Sequence, residues 1–322
     1  MRYSVGIDIG ATKILAGLVR EDGTVVHRVR RTTPFDSRDG VVETTCEMVR
    51  EVVLFGQTQD CCPAGIGVGT AGQVNFAEGI VVSGTPNIRD WTGVKLGELL
   101  SASANLPVWV DNDVNAHLLA EVSIGVAAGR QNVLMLALGT GVGGAACNES
   151  GIVRGTWGGA CEFGHISVDF QGPACNCGSR GCLELYASGT GIARMMRQRL
   201  GIDATDDSRW IDAPSVFEAA RAGDASARAV IADMIGALST ACISLIHTFN
   251  PQMIVLGGGV MEQGPWLFES LRKRIGQQGM PSLVGATEVV CAKFGADAGL
   301  IGAALQPFVY QCGWMRSEGH DD

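Results

Sequence analysis

Three observations predict a duplicated two-domain α/β fold with a cleft between its halves. The chain has 322 residues, which at ~150 residues per domain leaves room for two. A strand, a Gly/Thr turn, a second strand and a glycine turn open the sequence and recur roughly 128 residues later. Between and after these hairpins, short apolar runs alternate with stretches of helical period.

The elements follow in order. Residues 3–9 (YSVGIDI) read as a buried strand that turns at Gly10-Ala11-Thr12-Lys13 into a second strand over 14–19. Asp22-Gly23 is a hairpin signal before a third strand at 24–30. Residues 40–55 place apolar side chains at helical spacing, and 64–69 and 107–111 read as strands. Asn112 or Asp113 can cap a helix running to about 124. The second hairpin has strands at 133–138 and 145–147 around the loop 139–144, then the turn 148–151. Gly10 matches Gly139, Thr12 matches Thr140 and Gly23 matches Gly151, one residue shorter. Helices are expected at 184–200, 214–222, 225–249 and 297–306, with strands at 253–256 and 288–292. The polar end SEGHDD reads as disordered.

Composition narrows the function classes. A net charge of −9 argues against non-specific nucleic-acid binding, which needs basic surface against phosphate. Mean hydropathy is +0.20, yet the most apolar long segment, 231–249, carries Asp233 and His247 and reads as a buried helix rather than a membrane span. The first residues show no signal-peptide pattern, and eleven cysteines in such a chain point to reduced thiols and a cytoplasmic protein. Forty-five glycines, about twice the ~7% usage, imply tight turns or loops where backbone approaches a ligand.

Four motifs carry chemistry. Asp8 ends a strand before a Gly/Thr turn, which suits a metal-bound polyphosphate; an ordinary hairpin with a polar edge is the alternative. The loop 139–144, with Thr140 and Gly141, is small enough for phosphate to approach main-chain N–H groups, and Gly257, Gly258 and Gly259 form a third close-approach site. Asp111-Asn112-Asp113 stands at a strand end and helix start, where an aspartate can deprotonate a hydroxyl nucleophile; the same residue types also favour plain helix capping. The most specific motif is Cys175-x-Cys177-x₄-Cys182, ten residues after His165. Three thiolates and an imidazole make a closed Cys₃His zinc site, structural rather than Lewis-acid catalytic. It would fix Glu162 and Glu184 in one region, where carboxylates accept hydrogen bonds from vicinal hydroxyls, so a polyol substrate is implied. The other cysteines, His117 and His247 have no ligand spacing and read as structural.

The order DIGATK, DNDVNA, LGTGVGG, CEFGHI, CNCGSRGCLE, LGGGV and DAGLIGAAL, over residues 4 to 305, resembles the ROK family of sugar kinases and repressors. That resemblance implies an actin/hexokinase-like (ribonuclease H-like) fold. It implies an N-terminal domain over 1–111 with a C-terminal helix at 297–316 packing back on it, and a second domain over 112–296 carrying the zinc loop. It implies ATP-dependent phosphorylation of a hexose 6-hydroxyl, glucose first and N-acetylmannosamine or another N-acetylhexosamine or fructose next. Asp113 would be the general base. Asn112, Glu162, His165 and Glu184 would bind sugar hydroxyls, with Thr85 and Asn87 as further contacts. His165, Cys175, Cys177 and Cys182 would hold structural Zn²⁺. Asp8, Gly10, Thr12, Lys13, Thr140 and Gly141 would surround the phosphates of ATP and its Mg²⁺, and Gly257 to Gly259 the adenosine. A homodimer with no nucleic-acid or membrane partner is expected. Repressors of the family place a winged-helix domain before the first strand, which here starts at residue 3, so the kinase branch is expected. Cys161 stands beside Glu162 where a smaller residue is usual, which would make substrate binding thiol-sensitive.

Overall fold

The computed structural model describes residues 1–85, 87–203 and 211–311. The last part of the helix expected at 297–316 and the end SEGHDD lie outside the described residues. The chain divides into two compact units. Unit one holds residues 1–129, 146–160 and 296 onward; unit two holds 130–145 and 161–295.

Unit one is built on a sheet of order β3-β2-β1-β4-β7. Its strands are β1 (Tyr3–Ile9), β2 (Lys13–Arg20), β3 (Val25–Thr32), β4 (Pro63–Thr70) and β7 (Val108–Asn112). The first three run antiparallel in sequence, and β4 and β7 continue from β1 in parallel. The small hairpin β5 (Gln73–Asn75) and β6 (Ile80–Ser83) lies between β4 and β7 in the chain.

The period-2 pattern of β1 sorts its two faces. Val5, Ile7 and Ile9 join a core with Val41, Met48 and Val52 of α1 (Arg38–Thr58) and Leu96 and Leu100 of α2 (Leu96–Ala104). Ser4, Gly6 and Asp8 point the other way, toward α10 (Ala298–Gln311), and the Ser4 hydroxyl donates to the Ala304 carbonyl. A Cβ on Gly6 would lie 2.3 Å from the Leu300 carbonyl, and one on Gly67 only 1.7 Å from that of Ala303. Glycine at these positions lets α10 dock directly on the sheet.

The sequence reading ends the first domain at 111. In the structure α3 (Asp113–Ile124) belongs to unit one, because it packs on α10 so closely that a Cβ on Gly302 would meet the Ala116 carbonyl at 1.7 Å.

Unit two carries β8 (Val133–Leu138), β11 (Met253–Gly257) and β12 (Glu288–Cys291), mutually parallel through β11. β9 (Val142–Asn148) and β10 (Gly151–Ile152) complete a sheet of order β10-β9-β8-β11-β12, and the chain passes from unit two to unit one within β9. This order repeats that of the first sheet, three sequential strands followed by two parallel ones, which bears out the duplication. The helices are α4 (Glu184–Ala187), α5 (Gly189–Arg199), α6 (Ala213–Ala222), α7 (Ala225–Phe249), α8 (Pro265–Gly276) and α9 (Pro281–Val284). α7 is long and apolar enough to cross a membrane, but Val230, Met234, Leu238, Cys242 and Leu245 are buried along it.

The single helix expected at 184–200 is two. Ser188 adopts extended backbone, its hydroxyl donates to the Glu184 carbonyl at 2.6 Å, and it accepts the Gly191 N–H at 2.9 Å as the cap of α5. The break leaves Glu184 on a separate short turn.

Candidate active site

In unit one, β1 and β7 end at the same edge of the sheet and deliver Asp8 and the Asp111-Asn112-Asp113 trio. The structure gives the two aspartates of the trio different parts. Asp111 is buried and fully occupied. Its Oδ1 accepts the Asn112 N–H and the Asn115 side-chain amide, both at 2.8 Å. Its Oδ2 accepts Arg154 Nε at 2.9 Å and Nη2 at 2.6 Å. Arg154 also donates to the Tyr310 hydroxyl at 2.6 Å and stacks over Phe76 at 3.8 Å from the ring centre. Sequence spacing held no sign of Arg154; the i, i+4 relation of Asp111 and Asn115 was the one local signal.

Asn112 is the cap of α3. Its Oδ1 accepts the Val114 and Asn115 N–H groups, and its Nδ2 donates to the Gly72 carbonyl at 2.9 Å, which leaves one amide hydrogen. Asp113 is the first residue of the helix and half-buried, with Oδ1 held by the Val114 N–H at 2.9 Å. Burial pushes its carboxyl up to about 6; His117 lowers it, and the charge of Asp8 raises it further. A base poised there is ionised at neutral pH yet takes up a proton readily.

Burial likewise raises Asp8, while His117 and Lys13 pull it down. Among the described residues no hydrogen bond engages the Asp8 carboxylate, which leaves a half-buried carboxylate that could face a hydrated cation. The turn after it is closed by the Gly10 N–H on the Lys13 carbonyl, with Thr12 exposed.

Thr85 borders an open pocket of about 910 Å³, also lined by Phe35, Arg38, Arg89 and Trp91, and Asn87 is exposed. Among the described residues the Thr85 hydroxyl is buried without a partner. Neither Asp8 nor Asp113 lines this pocket.

In unit two, Val142 gathers the sugar-binding candidates. Its N–H donates to Glu184 Oε2 at 2.9 Å. Its carbonyl packs on Gly164, where a Cβ would lie 1.9 Å away, inside the one-turn helix Phe163–His165. Glu162 is exposed just before that turn. A Cβ on Gly141 would fall 2.5 Å from the same Glu184 oxygen, so a larger residue there would push that carboxylate aside. The exposed Thr140 accepts Thr190 Oγ1 at 2.8 Å through its carbonyl, which ties the glycine loop to the start of α5.

Gly257 is a buried strand residue, and Gly258, at φ 86°, approaches the Leu138 carbonyl so closely that a Cβ would stand 2.3 Å from it. Of the three, Gly259 is exposed with open space around it.

The ligand atoms of His165, Cys175, Cys177 and Cys182 lie within 4.8 Å of one another. Cys175 Sγ is 3.7 Å from His165 Nδ1, and Cys177 Sγ is 3.5 Å from Cys182 Sγ. A tetrahedron with ~2.3 Å metal–sulfur bonds has edges of about 3.8 Å, which these two separations match. The cage ties the His165 turn to the residues leading into Glu184: the Leu183 N–H donates to the Ile166 carbonyl at 2.9 Å. With Nδ1 facing the cage, Nε2 is left on the other side of the ring.

Cys161 sits at φ 66°, a conformation that costs a side-chain-bearing residue ~1–2 kcal/mol. Cys161→Gly is therefore expected to stabilise the fold by about 1 kcal/mol, part of the relief being offset by glycine's greater unfolded freedom. A urea midpoint that does not rise in the variant would contradict this.

The ROK family model matches residues 4–306. A glucokinase of Thermotoga maritima is 36% identical over 308 residues, covering 93% of this chain and 95% of that protein. The ROK hexokinase of Thermus thermophilus superposes with a TM-score of 0.83 at 31% identity, over 96% of this chain and 99% of that one. A ROK family glucokinase from Streptomyces griseus, solved with glucose and AMPPNP, gives 0.78 at 33% identity, over 94% and 98%.

Proposed function

The chain belongs to the ROK family, and from that premise we propose that it transfers the γ-phosphoryl group of ATP to the 6-hydroxyl of a hexose, with glucose the preferred acceptor. The actin/hexokinase-like fold it shares with these kinases supports the proposal. The observation that carries it is Asp113: a half-buried carboxylate held near 6, while its neighbour Asp111 is consumed by Arg154.

Asp113 accepts the proton of the attacking hydroxyl, and phosphoryl transfer otherwise demands positioning. Glu162, His165 Nε2 and the remaining oxygen of Glu184 accept or share hydrogen bonds with ring hydroxyls, joined by the last amide hydrogen of Asn112. Thr85 supplies a hydroxyl that lacks a partner among the described residues, and Asn87 is an exposed residue two positions on. The Gly10–Lys13 turn, Thr140 and Gly141 face the phosphates, and Gly259 is the open position of the adenosine loop. Asp8 would hold hydrated Mg²⁺, which neutralises developing phosphate charge when bound. The Cys₃His cage would hold Zn²⁺, which fixes the His165 turn against Glu184. A homodimer remains part of the reading.

A coupled ADP-release assay against glucose, N-acetylmannosamine, N-acetylglucosamine, mannose, fructose and allose tests the activity. The highest kcat/KM is expected with glucose; ADP release with none of the six would overturn the proposal. Polyphosphate in place of ATP tests the donor. Removing the metal by chelation is expected to raise KM for the sugar more than it lowers kcat, because the cage holds binding groups and not the base. A metal-free protein with unchanged KM would refute that role.

A further inference from the structure

Trp91 is one of the largest fully buried side chains of the molecule and belongs to the core of unit one, with Val81, Ile88 and Val94. Its ring is tied to one place in that core. The indole N–H reaches the end of β4 and donates to Thr70 Oγ1 at 3.1 Å. Thr70 is itself buried, and its hydroxyl donates to the Ala71 carbonyl at 3.4 Å. A phenylalanine would fill the core with a ring; the N–H adds an address. That address adjoins the site, because Thr70 is in register with Asn112 of β7, the residue before Asp113.

The segment that Trp91 holds is the one that carries Thr85 and Asn87. Its two ends are clasped together: the Gly84 N–H donates to Thr92 Oγ1 at 2.9 Å, and a Cβ on Gly84 would stand 2.9 Å from that of Trp91. The start of the segment meets Asn112 by a second route. Gly72 accepts the Asn112 side-chain amide through its carbonyl, and a Cβ on Gly72 would lie 2.5 Å from the Ser83 carbonyl. We propose that Trp91 is a positioning residue for the hexose: through Thr70 it fixes the segment carrying Thr85 and Asn87 at a set distance from Asn112. This rests on the kinase reading given above. The turn that carries Asp113 is held separately, by Asp111. Releasing Trp91 from Thr70 therefore weakens sugar binding and spares proton transfer.

Steady-state kinetics with glucose separates this role from plain packing. Trp91→Phe keeps a buried ring and removes the bond, and should raise KM for glucose about fivefold or more while kcat and KM for ATP stay within about twofold. Thr70→Val removes the same bond from its other end and should have the same effect, which keeps the proposal testable if the tryptophan variant folds poorly. Thr70→Ser keeps the hydroxyl and should restore KM to near the wild-type value. The double variant Trp91→Phe with Thr70→Val should be no worse than either single change. An unchanged KM in both single variants overturns the proposal, and so does a fall in kcat as large as that in kcat/KM. A second readout needs no activity. Arg89 is an exposed trypsin site within the segment, and Trp91→Phe should speed cleavage of the whole folded protein after it by about threefold or more. Unchanged cleavage overturns the anchoring. If the wild-type protein phosphorylates no hexose while cleavage still speeds up, the kinase reading fails and the anchor stands.

Discussion

Asp113→Asn lowers kcat by about 10²–10⁴-fold, the usual contribution of a general base, and at the same time raises Tm at neutral pH. The two effects share one origin. Burial lifts the Asp113 carboxyl to about 6 in the folded protein, against ~3.9 in an unfolded chain. The native state therefore holds this proton more tightly than the unfolded state does. As pH rises from about 4 to about 6 the unfolded carboxyl ionises first, and stability is lost through that window. At pH 7 the whole cost is present, with an upper value of about 3 kcal/mol for a shift near two pKa units. An amide carries no charge to desolvate, so the variant recovers part of it. Stability measured from pH 7 down to pH 5 should rise in the wild type relative to Asp113→Asn, and sugar affinity should stay near its wild-type value. Wild-type turnover in the variant would end the assignment of Asp113 as base. A variant that is slow but also less stable at pH 7 would end the account of its raised pKa.

The sequence reached the fold through the two hairpins, because strand, turn and spacing are local properties that survive duplication. It foresaw that His165, Cys175, Cys177 and Cys182 come together, because three thiols and an imidazole within eighteen positions have few other uses. It went furthest astray with glycine. Composition pointed to tight turns or to loops that approach ligands. Yet Gly6 and Gly67 serve the docking of α10 on the sheet, Gly302 serves its contact with α3, and Gly258 fits under the Leu138 carbonyl. A glycine that meets a helix and one that meets a phosphate look alike in sequence. The split of the 184–200 helix at Ser188 was hidden for a related reason: the serine suits a helix interior poorly but does not forbid it, and the deciding bond runs to the Glu184 carbonyl. The difference between Asp111 and Asp113 was out of reach altogether, since it depends on Arg154, forty-three positions away in the chain.

Arg154→Met should cost about 3–5 kcal/mol of stability, the range for removing one partner of a buried ion pair. The reason is what stays behind. Asp111 has 4% of its side chain exposed and Arg154 18%, so water cannot take over the two guanidinium bonds to Oδ2. Arg154→Lys keeps the charge but loses the planar fork and its stacking on Phe76, and should fall between the wild type and the methionine variant. The double variant Asp111→Asn with Arg154→Met removes both charges, and should be less destabilised than the sum of the two single changes. Activity should fall with stability for a structural reason. Asp111 Oδ1 fixes the Asn112 N–H and the Asn115 amide at the first turn of α3, and Asp113 lies between those two residues. A carboxylate released from Arg154 would pull that turn out of register and displace the base by the ångström that positioning catalysis does not tolerate. Denaturant midpoints of the four proteins, compared as a double-mutant cycle, decide the matter. A coupling energy near zero would show that the pair adds nothing to the fold. An Arg154→Met protein with wild-type kcat would show that the turn carrying Asp113 is held by something else.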